Sequence, residues 1–255
     1  MIANYHTHTA RCHHATGTEE EYIQNGLASG LQVLGFSDHT PYPFPEGYYS
    51  KMRMYPHELA EYVQTLSSLR EKYADQIRLH IGLEVEYYPA HFADLLTWVR
   101  DQDVEYLLLG QHWLGNEQGE VHVNRAFDDE ARLARYCDQT IDAMQTGVFS
   151  YIAHPDLPNF VGESKVYDRH MRRLIREADA CGLPLEINLH GAMGNRTYPT
   201  PRFWELVAEE GGKVVLGRDA HDPAEFLDTA TEQRMLDMVR QLGLTLLPQI
   251  TLKKP

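Results

Sequence analysis

A chain of 255 residues, 43% hydrophobic and 24% charged, is long enough to bury a full core. Its longest apolar run, residues 106–110, falls far short of the roughly 20 residues that a membrane span needs. The net charge of −14 argues against broad contact with a nucleic-acid backbone, which needs clustered Lys and Arg, but leaves a small phosphorylated partner open, because bound cations reverse a local field.

Short apolar runs alternate with helical patterns along the chain. A strand is expected over 2–6, then a helix opened by the capping box of Thr18 and Glu21 and stopped at Gly30. The next strand, 32–37, leads into an irregular stretch over 41–55, rich in proline and tyrosine; a loop of that length in a compact domain is more often functional than idle. Pro56 suits the first turn of a helix. Strands follow over 78–84 and 104–110, and a helix over 127–146 carries Leu133, Tyr136, Ile141 and Met144 and ends before Gly147. Beyond the strand at 149–153, a helix over 168–181 stops at Gly182, and the next strand is 185–189. Thr200 and Pro201 open another helix, 213–217 is a strand, and Asp222 with Pro223 opens the last long helix before an apolar run at 244–247.

Seven strand–helix repeats imply an α/β protein with a parallel sheet, closed as a barrel or open and doubly wound. No linker divides the chain, so residues 1–255 are expected to form a single domain. The first residues lack a basic stretch followed by an apolar one, and Cys12, Cys137 and Cys181 form no Cys-x-x-Cys pair. The expected setting is therefore reducing and cytoplasmic, without a disulfide framework.

Metal-ligating residues track the carboxyl ends of these strands. His6 and His8 follow the first, Asp38 and His39 the second, Glu84 the third, His112 the fourth, His154 the fifth, and Asp219 and His221 the seventh; the sixth ends near Asn188. That end of a β/α barrel is where catalytic residues collect. The pairs His6/His8 and Asp219/His221 are two residues apart, and in extended chain such residues share a face and can reach one ion. Alone, each group has a plainer reading as a hydrogen-bonded pair or a turn; together, and at one end, they indicate a metal site. Neutral imidazoles with a few carboxylates suit Zn, Mn or Fe. Three divalent ions would bring about +6 against about −2 from Glu84 and Asp219, a pocket that attracts a phosphate dianion. His57, His80, His91, His122 and His170 read as structural or solvated, Cys12 as a small packed residue, and His13 and His190 stay open.

The motifs His6-Thr7-His8, Ser37-Asp38-His39, Gly82-Leu83-Glu84, Gly110-Gln111-His112, Ala153-His154-Pro155 and Asp219-Ala220-His221 resemble, in order, those of the polymerase-and-histidinol-phosphatase (PHP) superfamily. The resemblance implies a distorted (β/α)7 barrel with a trinuclear centre, at which two or three divalent ions are expected to bind. One ion would take His6, His8, Glu84 and Asp219; a second would share Glu84 and add His112 and His154; the third would take His14, His39 and His221. It places Glu84, Asp219 and His221 in catalytic roles. Asp38-His39-Thr40-Pro41, Arg53-Met54, Gly82-Leu83-Glu84-Val85-Glu86, Glu186-Ile187-Asn188 and Tyr198-Pro199-Thr200-Pro201 resemble the histidinol-phosphatase branch.

The implied activity is phosphomonoester hydrolysis by a metal-bridging hydroxide, with L-histidinol phosphate, an intermediate of histidine biosynthesis, as substrate. The alternatives are action on nucleotides or short oligonucleotides, and a nonenzymatic, metal-stabilised binding module. Two departures mark this chain. Residues 156–160 offer no arginine where the family carries one for phosphate, and Arg218 stands where the family has serine. Arg196, and after it Arg218, are the expected phosphate ligands in compensation, with Asp156 a candidate leaving-group acid. A small phosphorylated substrate is the expected partner, with no membrane or nucleic acid.

Overall fold

A computed structural model describes residues 1–44, 47–48, 50–194 and 196–255. Residues 45, 46 and 49 of the irregular 41–55 stretch lie outside the described residues. Eight parallel strands form one sheet in chain order: β1 Ala3–Asn4, β2 Val33–His39, β3 Arg78–Val85, β4 Tyr106–Leu109, β5 Phe149–Ile152, β6 Leu185–Asn188, β7 Lys213–Gly217 and β8 Thr245–Leu246. The helices are α1 Glu19–Ala28, α2 Leu59–Lys72, α3 Phe92–Arg100, α4 Glu130–Gln145, α5 Ser164–Ala180, α6 Leu189–Met193, α7 Pro201–Glu210 and α8 Thr229–Leu242.

The sheet curls until its two sides meet beyond the carboxyl ends of β1 and β7. There Thr7 bridges Ala220, His8 N donates to Ala220 O at 2.9 Å, and Ala220 N donates to His6 O at 3.3 Å. At its other end β7 pairs instead with β8, Lys213 opposite Thr245 and Val214 opposite Leu246. The sheet thus closes on seven strands at one end while an eighth lies outside at the other, which is the physical content of the expected distorted (β/α)7 barrel. Closure places the ligand-bearing chain after β1 beside that after β7.

Alternate strand residues feed two cores, as the twofold pleat requires. On β3, Leu79, Ile81, Leu83 and Val85 pack under the helices, while Gly82 and Glu84 take the opposite, barrel-facing phase. Tyr5, Val33, Tyr106, Leu108, Tyr151 and Val215 fill the barrel, with Ile250 and Leu252 of the C-terminal segment packed against them. Tyr106 Oη donates to Tyr5 O at 2.7 Å and to Phe36 O at 3.1 Å, so the phenol crosses the barrel without an unpaired hydroxyl. The register slips between Leu107 and Leu108, leaving Ser150 of β5 as the extra residue, and its hydroxyl accepts from Lys253 N at 2.9 Å.

The capping box at Thr18 and Glu21 forms as expected, and Pro201 begins α7 behind Thr200. Several boundaries differ. Phe127 bridges Phe160, so α4 starts at Glu130 behind Asp129, whose side chain accepts from Ala131 N. The helix expected over 168–181 begins at Ser164, because the 164–167 turn buries Tyr167. Asp222 and Pro223 open only a short 3-10 segment, Pro223–Leu227, and α8 is capped by Asp228. Strand β6 stops at Asn188, whose side chain accepts from Gly191 N and starts α6.

Candidate metal centre

The strand ends bring His6, His8, Glu84, His154 and Asp219 together as buried groups, with His39 6% exposed beside them. Glu84 lies in the middle. His154 Nε2 and His112 Nε2 face its Oε1 at 2.9 and 3.6 Å; His39 Nδ1, His6 Nε2 and His8 Nε2 face its Oε2 at 2.9, 3.5 and 3.5 Å. Asp219 Oδ1 approaches His8 Nε2 at 3.0 Å and His6 Nε2 at 3.3 Å. His154 and Asp219 adopt the left-handed backbone region, φ 30° and 52°, which bends the chain inward at two ligand positions.

Hydrogen bonding fixes which ring nitrogens carry protons. His6 Nδ1 donates to Glu186 Oε1 at 2.8 Å, His8 Nδ1 to Asp38 Oδ1 at 3.3 Å, and His112 Nδ1 to Glu86 Oε1 at 2.8 Å. His14 Nδ1 and His221 Nδ1 donate to the carbonyls of Cys12 and Asp219, at 2.7 and 2.8 Å. In a neutral ring the opposite Nε2 is then a bare lone pair. Yet His14 Nε2 and His221 Nε2 face each other at 3.1 Å, and His6 Nε2 and His8 Nε2 at 3.2 Å. Two lone pairs do not bond one another; a cation between them resolves the contact. The buried atoms His39 Nδ1 and Glu84 Oε2 likewise have no hydrogen-bond partner despite their 2.9 Å approach. The donor set therefore fits divalent metal, with carboxylate or carbonyl partners behind the rings orienting them as metal-bound imidazoles require.

Charge points the same way. Burial by itself would depress His6, but Glu186, Asp219 and Glu84 outweigh it and push the ring up to about 10, so this spot demands positive charge. His39 is pushed down to about 4, by burial first and with His8 adding to it against the pull of Glu84. His221 is held well below its ordinary value, mainly by burial and then by His8. Both stay in the neutral form that binds metal. Burial would raise the Glu86 carboxyl, but Arg53 and the bond from His112 hold it well below the usual range.

Overlapping groups have ligand atoms within 4.8 Å of one another: His6, His8 and Asp219; His6, Glu84 and His154; His8, His39 and Glu84; His14, His39 and His221. Their sharing of Glu84 and His39 gives room for more than one ion. Cys12 also groups with His8 and His221, but it is fully buried in a 3-10 turn and burial raises its thiol. His13 turns outward, φ 67°, onto the Tyr55 ring.

The centre floors a cavity of about 380 Å³ walled by Trp113, Leu157, Met52, Tyr198, His122, Asn124, His190 and Arg196. Arg196 lines it and donates to His190 Nε2 at 2.6 Å. Arg218 does not. Its guanidinium is buried away from the cavity, donating to the carbonyls of Glu225 and Asp228, each at 2.9 Å, and pairing with Glu232. Asp156 is also displaced from its expected role, since its Oδ2 is occupied by Thr200 N at 2.6 Å and Trp204 Nε1 at 3.0 Å, which anchors the start of α7. Burial raises its carboxyl to about 6, but it does not line the cavity.

Sequence reasoning read His122 as structural or solvated and left His190 open, whereas both wall the cavity; it missed Glu186, Glu86 and Asp38 as the carboxylates behind three imidazoles. The signal for the carboxylates was an acidic residue within or just after a strand, Asp38 in β2, Glu86 one past β3 and Glu186 in β6, and all three prove completely buried. No helix among the described residues is long and apolar enough to cross a membrane.

The PHP domain family model matches residues 4–190. The chain is 30% identical to a probable histidinol-phosphatase of Deinococcus radiodurans over 91% of this chain and 93% of that one. It is 28% identical to a probable histidinol-phosphatase of Schizosaccharomyces pombe, over 88% and 81% of the two chains. A crystal structure of the Lactococcus lactis histidinol phosphate phosphatase, complexed with zinc, L-histidinol and phosphate, superposes with a TM-score of 0.77 at 17% identity, over 98% of this chain and 97% of that one. With the fold, the strand-end donor set and these matches together, the chain belongs to the PHP domain family, in its histidinol-phosphatase branch.

Proposed function

We propose that this protein is a metal-dependent phosphomonoesterase that hydrolyses L-histidinol phosphate, with residues 1–255 acting as one unit. The observation that carries the metal dependence is the facing of Nε2 atoms, His14 to His221 and His6 to His8, on rings whose Nδ1 protons are already committed, beside a carboxylate at the centre of the cluster. We assign His6, His8, Glu84 and Asp219 to one ion, Glu84, His112 and His154 to a second, and His14, His39 and His221 to a third, with Zn, Mn or Fe suited to this mix of nitrogen and oxygen donors. Such ions, when bound, act as Lewis acids on phosphoryl oxygens and bring the pKa of a coordinated water near neutrality.

The chain's own residues do the rest. Glu84 and Asp219 keep the donors in register at the floor. Arg196 extends over the cavity and supplies a planar guanidinium for phosphoryl oxygens, in place of the arginine missing from residues 156–160. His122 Nδ1 accepts from Asn124 N at 3.2 Å, so its Nε2 carries the proton and offers a donor on the wall. Trp113, Leu157 and Tyr198 exclude water around the leaving group. A cavity of about 380 Å³ suits a small monoester and leaves little room for a polynucleotide. The three free cysteines fit a cytoplasmic setting.

The test is turnover by the metal-replete chain on a panel of L-histidinol phosphate, other phosphomonoesters, nucleotides and a short oligonucleotide. L-histidinol phosphate is expected to have the highest kcat/KM, with Glu84→Ala losing bound metal and more than about 100-fold in rate. Preference for nucleotides would overturn the substrate and leave the metal chemistry standing; full activity of a metal-free variant would overturn both.

A further inference from the structure

Arg53 lies between β2 and α2, in the segment that follows His39 and outside the strand ends, yet it is only 2% exposed. All five of its N–H donors are engaged. Nε donates to Glu117 Oε2 at 2.9 Å; Nη1 donates to Thr40 O at 3.0 Å and Glu86 Oε2 at 2.9 Å; Nη2 donates to Glu86 Oε1 at 3.1 Å and Glu117 Oε2 at 2.6 Å. The contact with Glu86 is a planar fork, one nitrogen to each carboxylate oxygen, which fixes the carboxylate in rotation as well as position. Glu86 Oε1 is also the atom that accepts from His112 Nδ1 at 2.8 Å. Behind that ring, Nε2 faces Glu84 Oε1 at 3.6 Å.

We infer that Arg53 is a positioning residue for the metal site that His112 completes: its fork sets the Glu86 carboxylate, and that carboxylate sets the imidazole with its bare nitrogen toward Glu84. The inference rests on the proposed metal centre. Arg53 acts through two intermediates and touches neither metal nor substrate. It also joins the segment carrying Met52 to the loop after β4, because Glu117 accepts from Tyr48 Oη at 3.1 Å and from Ser50 as well as from Arg53. Lysine would keep the charge and lose the fork, which separates orientation from electrostatics.

The experiment uses the full chain loaded with Mn(II), equilibrated against chelator buffers of graded free Mn(II), with bound metal per chain read by elemental analysis. In Arg53→Lys, one equivalent is expected to require about tenfold more free metal or greater, with the remaining metal held as in the parent chain and activity recovering as that equivalent refills. Glu117→Gln leaves the fork to Glu86 in place and is expected to show the parent binding curve, even if it melts earlier. If Arg53→Lys and Glu117→Gln both lower the melting temperature while keeping the parent curve, Arg53 is only a structural clamp and the inference is wrong. Should Arg53→Lys not fold, Glu86→Gln in the same titration carries the test: losing the same single equivalent supports the inference, and an unchanged curve sinks it. If the parent chain retains no metal, the proposed centre itself fails, an outcome distinct from a parent and variant that bind alike.

Discussion

Glu84 keeps its central place because position 110 is glycine. A Cβ on Gly110 would lie 1.9 Å from Glu84 Oε1 and 2.6 Å from its Cδ, closer than any real contact, so a side chain there must displace the carboxylate. Gly217 has the same relation to Glu186, with a Cβ 1.8 Å from the oxygen that receives His6 Nδ1–H. Gly110→Ala is therefore expected to cost about 1–3 kcal/mol of stability through overpacking, and to lower bound metal and kcat by roughly 100-fold. Denaturant unfolding with metal analysis on the same preparation checks it; an active variant with full metal would show that Glu84 moves aside freely. Ligand types were legible at this scale, since a His or carboxylate ending a strand buried on both faces must find a partner. The partners were less so: Glu186 meets His6 across 180 positions of sequence.

Elements differ from their expected form where a side chain bonds outside its own segment. Arg218 follows β7 directly, and its sequence context suggested a cation beside the phosphate. Its guanidinium instead ties β7 to the Pro223–Leu227 turn and the start of α8, through the carbonyls of Glu225 and Asp228 and the Glu232 side chain. Arg218→Met is thus expected to lower stability by about 2 kcal/mol, since it removes charge-assisted hydrogen bonds to two carbonyls and to Glu232, which keeps the N-terminal amine of Met1 as its ionic partner. KM for the phosphoester is expected to stay within about twofold, whereas Arg196→Met raises it roughly tenfold by removing a charge-assisted contact. Urea unfolding and steady-state kinetics on both variants decide it. A raised KM in Arg218→Met without loss of stability would return that arginine to the substrate. The α1 capping box was readable because Thr18 and Glu21 act within one turn. The starts of α5 and α8 were harder, because burial of Tyr167 and the helix cap at Asp228 depend on neighbouring elements.

For the whole molecule, the metal centre joins the two sides of the curled sheet. The chain after β1 supplies His6, His8 and His14, the chain after β7 supplies Asp219 and His221, and backbone bonds of Ala220 with His6 and His8 hold them side by side. Without metal, imidazoles with facing Nε2 atoms and two carboxylates crowd one buried place, with only protons taken up by rings such as His6 to balance the charge. Binding should therefore feed directly into folding stability: each ion held at 100 times its dissociation constant adds about 2.7 kcal/mol. Chelated protein is expected to melt well below the loaded form in calorimetry, with the difference returning on titration of metal; identical melting curves would mean that the donors tolerate an empty centre at no cost.

The sequence by itself determined the alternation of strands and helices, the end of the sheet that carries the chemistry, and the donor types there, because pleat, helical turn and cap are local geometries of a few residues. Only the tertiary structure decided which lone pairs face one another, which carboxylates stand behind the imidazoles, that Arg218 turns away while Arg196 reaches the cavity, and that Arg53 lies behind His112. Those outcomes depend on the direction of side chains brought together by closure of the sheet, and no spacing along the chain encodes the approach of groups that only closure makes neighbours.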